Sequence, residues 1–164
     1  MGYLISLPAA YIVGGIPFGL LVVRWLRGVD VRRMGSGNIG ATNVLRAAGW
    51  KGGVLVLSLD AAKGFLPVFA AERIFAGQYL LVILTGLAAI MGHMFSPFLR
   101  FTGGRGVATG LGVVFALSWQ AGLCTFALAI LLMAATRYVS LGSMVGALSL
   151  PFFMGLLKAP VEYT

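Results

Sequence analysis

Gly92–Thr109 reads G-H-M-F-S-P-F-L-R-F-T-G-G-R-G-V-A-T, a polar seam between two apolar runs, and it decides how the rest of the chain divides. It holds the only histidine (His93), the arginines Arg100 and Arg105, and the glycines Gly103, Gly104 and Gly106. Glycines around an arginine let backbone N–H groups and a guanidinium approach a phosphate closely. Val107 then opens an expected helix, whose N-terminus carries partial positive charge. On a functional reading the loop holds a phosphorylated substrate at a membrane surface. On a structural reading it is a glycine-rich turn between two membrane helices, with arginines as interfacial anchors.

Composition supports the membrane setting common to both readings. Of 164 residues, 60% are hydrophobic and 10% charged, with a mean hydropathy of +1.00. A soluble domain of this size cannot bury that much apolar surface, so a polytopic, all-α integral membrane bundle is expected. No polar linker divides the chain, and a single domain over 1–164 is expected. The net charge of +8 lies beside apolar runs, which points to topology and anionic head groups rather than nucleic acid. Cys124 is the only cysteine and lies in an apolar run; it reads as a packing residue, and no intrachain disulfide can form.

Working outward from the seam, Gln78–Phe95 before it is one span and Gly106–Thr136 after it has no charged residue. The latter is long for one crossing and short for two; Ser118–Gly122 is its natural turn, and two short tilted helices are expected. Upstream, Leu4–Trp25 is a first span, with glycines and prolines that kink it or admit a close neighbour. Gly53–Ala71 is a second, carrying Asp60 and Lys63 three residues apart on one helical face, the spacing of an ion pair. Asp60 is also placed to orient a basic residue from the preceding loop, and Pro67 to bend the helix. Met144–Leu157 is a last apolar run, making about six spans.

Between the first two spans runs the longest polar stretch, Arg27–Lys51, which with Arg24 carries six of the 12 basic residues. By the positive-inside rule this loop is cytoplasmic and the N-terminus external. Its centre, S-G-N-I-G-A-T-N-V-L-R (Ser36–Arg46), offers an oxyanion the side chains of Ser36, Asn38, Thr42 and Asn43; a capped turn starting a short helix at Ser36 or Asn38 is the structural alternative. R-Y-V-S-L-G-S (Arg137–Ser143) is a third cluster. Alternation of spans puts all three on the cytoplasmic face, where they would form one anion site.

The residues exclude several chemistries. Asp60 is the only acid near a cluster, which leaves no carboxylate pair. A serine triad lacks spare histidines and acids. An H-x4-D acyltransferase pattern fails, because Phe98 stands five residues after His93. Metal ligands are too few, and no cofactor is expected. What remains is electrostatic and positional catalysis on phosphate-bearing substrates with a good leaving group.

In order, S-G-N-I-G-A-T-N-V-L-R, D-A-A-K-G, the Gly92–Thr109 seam and R-Y-V-S-L-G-S resemble the bacterial acyl-phosphate:glycerol-3-phosphate acyltransferase family, PlsY. The resemblance implies a polytopic inner-membrane enzyme that moves a fatty acyl group from acyl phosphate to the 1-hydroxyl of glycerol 3-phosphate, giving lysophosphatidic acid and phosphate. This is the first acylation of phospholipid synthesis. Glycerol 3-phosphate, acyl phosphate and the bilayer are the implied partners, together with the enzyme that makes acyl phosphate. Ser36 and Arg46 match the family's activity-bearing serine and arginine, and Gly103–Gly106 its glycerol-phosphate loop. Ser36, Arg46 and Arg105 are the expected catalytic residues. Asn38, Thr42, Asn43, Gly103, Gly104, Gly106, Arg137, Ser140 and Ser143 are expected to bind phosphate, with Asp60, Lys63 and His93 in support. A substrate phosphate oxygen is the expected acceptor of the hydroxyl proton.

Two departures accompany the resemblance. Arg105 stands where the family's loop has lysine, keeping the charge but changing a point charge to a fork. The family continues through a seventh span to a motif with histidine, asparagine and glutamate, and this sequence stops at Thr164 before it. The expectation is a truncated or divergent member with weakened or absent activity. A non-catalytic membrane binding protein is the alternative, and a phosphorylated-solute transporter a weaker one, since transporter sites lie near the bilayer midplane.

Overall fold

The structure is a computed structural model and describes residues 2–157; Lys158, Pro160 and Glu162 lie outside that range. Among the described residues every regular element is helical: α1 (Gly2–Gly15), α2 (Phe18–Arg27), α3 (Ala41–Ile74), α4 (Tyr79–Met94), α5 (Val107–Leu117), α6 (Trp119–Thr136) and α7 (Val139–Leu156), with short 3-10 turns at Val31–Arg33 and Pro97–Leu99. Five helical stretches among the described residues are long and apolar enough to cross a membrane, with α1 and α2 together forming the first. Helix α5 has 11 residues and at ~1.5 Å each spans roughly half of a bilayer's hydrocarbon. The charge-free run does divide at Ser118, whose Oγ caps α6 by accepting from the Ala121 N–H, but into a short and a full-length helix rather than two short ones.

The chain forms two compact units, Met1–Val113 and Val114–Thr164. In the first, α1 and α2 are one span broken at Ile16–Pro17. Proline has no N–H to donate to the preceding turn and restricts the residue before it. Two carbonyls at the break accept from side chains distant in sequence, Ile16 O in addition to its bond from the Phe18 N–H. Ser96 Oγ donates to Gly15 O at 2.6 Å, and Lys63 Nζ donates to Ile16 O at 2.8 Å.

Small residues let the helices of this unit approach. A Cβ on Gly14 would collide with the Ala89 carbonyl, and one on Gly92 with that of Tyr11, which joins α1 to α4. Gly64 against Thr109 and Gly112 against Ala61 do the same for α3 and α5. Without a hydrophobic drive between helices in lipid, such close packing is what associates them.

Helix α3 differs from expectation at its start. It begins at Ala41, so that Thr42, Asn43 and Arg46 lie on its first turns rather than in a loop. Its break falls at Gly49 (φ 78°, ψ −179°), a conformation almost restricted to glycine.

The connections after the first and third spans fall at the same end of this unit. Leu99, from the second connection, shares one buried core with Val31 and Ile39 from the first, with Val44 of α3, and with Leu20, Val22 and Val23 of α2.

In the second unit α6 and α7 pair through Gly142, which lies against Ala129 and Met133, and through Gly146 against Ala129. Ala121 and Met154 are buried between them with Leu150 and Phe153 packed alongside.

Candidate active site

The first loop is organised by Asn43. Its side chain is buried, and Nδ2 donates to the carbonyls of Val31 (3.1 Å), Met34 (3.0 Å) and Asn38 (2.8 Å). Its Oδ1 accepts from the Ser36 N–H at 3.0 Å. An amide used on both ends is not available to a phosphate, so the expectation that Asn43 binds substrate directly is corrected: it holds the loop. Asn38 closes an Asx turn by accepting from Gly40 N–H at 2.8 Å, and Gly40 precedes α3. Ser36, Thr42 and Arg46 are exposed at this end. The Arg46 side chain runs beside Gly35, with its Cδ 3.9 Å from where a Gly35 Cβ would stand. Ser36 and Arg46 are therefore brought together across Asn43, and the helix start adds unpaired N–H groups.

Before this loop, Asp30 caps the Val31–Arg33 turn through the Arg32 N–H. The Arg32 guanidinium grips its carboxylate at 2.6 Å. That hydrogen-bonded guanidinium, reinforced by the backbone N–H, holds the Asp30 carboxyl at about 2 and raises the Arg32 guanidinium in turn. Arg46 and Arg105, in contrast, have no ion pair among the described residues and are exposed.

The seam after α4 folds back on that helix. Arg100 (φ 54°) and Phe101 (φ 60°) are consecutive left-handed residues, an uncommon conformation for side chains other than glycine. The turn is held by Phe101 N–H to Ser96 O at 2.8 Å and Thr102 N–H to Leu99 O at 3.1 Å. Gly103 and Gly104 then lie on His93. Gly104 N–H donates to His93 O at 3.1 Å, a Cβ on Gly103 would meet the same carbonyl, and a Cβ on Gly104 would meet the imidazole Nε2. Gly106 (φ 76°) turns the chain into α5. The Gly104 N–H is thus already used within the protein, while Arg105 projects from the loop.

Below the loop, Asp60 and Lys63 pair at 2.7 Å, both almost fully buried. The pair lies well inside α3. Asp60 faces His93, with Nδ1 3.8 Å from Oδ1, and not a basic residue of the first loop. The third cluster belongs to the second unit. There Arg137 (φ 61°) ends α6 through its N–H to Met133 O, and the Ser143 hydroxyl donates to Ser140 O at 2.9 Å. Arg137 and Ser140 are exposed.

Sequence reasoning missed Ser96 and Tyr11. Ser96 is fully buried, and Tyr11 Oη donates to Phe95 O at 2.5 Å. Both tie α1 to the start of the seam. A serine before a proline at the end of an apolar run was the available signal for Ser96; Tyr11 gave none.

The helices and the polar end define a polytopic integral membrane protein whose exposed arginines and tight glycines suit a phosphate-bearing ligand. The sequence profile of a family described as glycerol-3-phosphate acyltransferase matches residues 4–163. A glycerol-3-phosphate acyltransferase of Thermotoga petrophila is 45% identical over 157 residues, covering 96% of this chain and 79% of the relative. One of Myxococcus xanthus is 48% identical over 153 residues, covering 93% and 80%. Two crystal structures of PlsY (YgiH), an integral membrane glycerol 3-phosphate acyltransferase, superpose closely. The glycerol 3-phosphate form gives a TM-score of 0.92 at 44% identity, covering 99% of this chain and 80% of that one. The lysophosphatidic acid form gives 0.90 at 43%. The chain belongs to the glycerol-3-phosphate acyltransferase family.

Proposed function

We propose that this chain transfers a fatty acyl group from acyl phosphate to the 1-hydroxyl of glycerol 3-phosphate, releasing lysophosphatidic acid and inorganic phosphate. The observation that carries the reading is the near-complete match to a fold solved in a glycerol 3-phosphate form. It is joined by two exposed arginines of the first unit, Arg46 and Arg105, that have no ion pair among the described residues.

Acyl phosphate is a mixed anhydride, and the reaction needs no cofactor. The O1–H bond of glycerol 3-phosphate breaks as O1 bonds the acyl carbon, and the bond from that carbon to the phosphate oxygen breaks. The proton passes to a phosphate oxygen. Arg46 and Arg105 neutralise two phosphates that otherwise repel, and Ser36 orients one of them with Thr42, Asn38 and the open N–H groups of α3. Gly103, Gly104 and Gly106 let the loop approach glycerol 3-phosphate, with Arg105 as its charge. On the second unit, Arg137 at the end of α6 and Ser140 and Ser143 of α7 are further candidates for binding phosphate. The site faces the cytoplasm of a bacterial inner membrane, with the N-terminus outside, and the enzyme that makes acyl phosphate is a partner.

The test is acyl transfer by the purified protein in lipid, with acyl phosphate and labelled glycerol 3-phosphate. Lysophosphatidic acid from the wild type, and its loss in folded Ser36→Ala and Arg46→Ala, is the expected result. No product from folded wild-type protein would overturn the reading.

A further inference from the structure

Asp60, Lys63 and His93 form a buried polar cluster that none of the steps above uses. Charges inside an apolar span are costly even when paired, because desolvation offsets much of the attraction. An ion pair that served only stability would be better replaced by packed apolar side chains. The cluster's connections give it another task. Lys63 reaches two ways, to Asp60 at 2.7 Å and to the Ile16 carbonyl at 2.8 Å, so its position is fixed by the break in the first span. Asp60 Oδ1, the atom that Lys63 holds, also faces His93, 3.8 Å from an Nδ1 that has no hydrogen-bond partner. On the far side of the ring, Gly104 lies against Nε2.

The imidazole is thus wedged between a carboxylate of α3 and the backbone of the glycine loop. The residue after Gly104 is Arg105. A ring covered by Gly104 and 3% exposed is poorly placed to take a proton from a substrate hydroxyl, and well placed to set the height of the loop.

We propose that His93 is a positioning residue for the glycine loop, held in place by the Asp60–Lys63 pair, and that it acts on glycerol 3-phosphate through Gly104 and Arg105. The inference rests on the reading that this loop binds glycerol 3-phosphate. Removing the imidazole lets the loop sink or drift, so the cost falls on binding of that substrate rather than on the acyl-transfer step. Outer-shell partners of metal ligands act on affinity by about ten- to a hundredfold, and an effect of the same order is expected of a group one layer behind a phosphate.

The experiment uses the full chain reconstituted in lipid, with KM for glycerol 3-phosphate and kcat measured separately at saturating acyl phosphate. His93→Ala raises KM by about tenfold or more and leaves kcat within about threefold. His93→Gln, which keeps a polar atom near the Nε2 position, recovers most of that loss, and His93→Asn, which does not reach it, recovers little. Gly104→Ala also raises KM, because its Cβ meets the ring. In the double variant Gly104→Ala/His93→Ala the two increases fail to multiply, as expected of groups in contact. Asp60→Asn raises KM in the presence of His93 and not in its absence. Multiplying effects in the double variant would overturn the proposal, as would a His93→Ala enzyme with unchanged KM and lost kcat. If His93→Ala does not fold, the Gln and Asn variants carry the same comparison. A wild-type protein without turnover would instead fail the functional reading, and is seen before any variant is compared.

Discussion

Asn43 concentrates more of the site in one side chain than either arginine does. Its amide links Val31, Met34, Asn38 and Ser36, so Asn43→Ala leaves several backbone groups unpaired at once. Each such loss is worth about 1–3 kcal/mol. Turnover is expected to fall by about tenfold or more, with the Arg27–Gly40 segment becoming protease-sensitive; a variant with wild-type turnover would remove Asn43 from the loop's support. Arg105 tests charge against shape. Arg105→Ala is expected to raise KM for glycerol 3-phosphate by about ten- to a hundredfold, the value of a charge-assisted hydrogen bond. Arg105→Lys keeps the charge and recovers most of the loss, and equal losses in the two variants would mean that the guanidinium fork is what binds. Asp30 gives a pH signature. Its carboxyl is lowered from 3.8 to about 2 in the folded protein, so its contribution is complete above the unfolded value and disappears as pH falls through the folded one. The difference in Tm between wild type and Asp30→Asn is therefore expected to be flat from about pH 8 to 5 and to close only in strong acid; closure near neutrality would assign it to another group. The polar residues of this end were legible in the sequence because oxygen donors, arginines and glycines cluster there without an apolar reason. Their division of labour was not legible. Asn43 and Ser36 look alike as donors, and only the folded loop shows that one is enclosed by carbonyls and the other exposed.

Helix crossings and helix breaks carry their own predictions. Gly64 has the Thr109 carbonyl where its Cβ would be, so Gly64→Val forces α3 and α5 apart, at about 3 kcal/mol or more. It should lower Tm and yield in detergent; a variant as stable as the wild type would show that the crossing can open without cost. Gly49 has open space around it and a left-handed φ of 78°. Gly49→Ala is limited by backbone strain alone, at about 1–3 kcal/mol, and should act on stability far more than on KM. The long apolar runs announced the helices directly, since the bilayer sets their length. The breaks were harder to place. Pro17 was legible as a kink among several candidates, whereas Gly49 stands in a stretch whose polarity reads as loop. Its role depends on α3 starting eight residues earlier, at Ala41, which only packing of Val44 and Ile39 into the core decides.

For the molecule as a whole, alternation of spans makes orientation testable. With Cys124→Ser as background, Met34→Cys should react with an impermeant maleimide only after lysis and Ala76→Cys in intact cells; the reverse pattern would place the site outside. The break at Ile16–Pro17 also has a bearing on how the chain is made. The Gly15 carbonyl depends on Ser96, while the Ile16 carbonyl accepts from the Phe18 N–H and gains Lys63 as a second donor; an unsatisfied backbone carbonyl in hydrocarbon costs several kcal/mol. When the first span leaves the ribosome, neither side-chain donor has yet been synthesised. Arrested nascent chains ending before Lys63 should keep the Gly15–Pro17 region open to water-borne reagents, and chains carrying Ser96 into the bilayer should close it. The Gly15–Pro17 stretch thus enters the membrane before the residues that seat it, and its closure waits for the segment that carries Ser96.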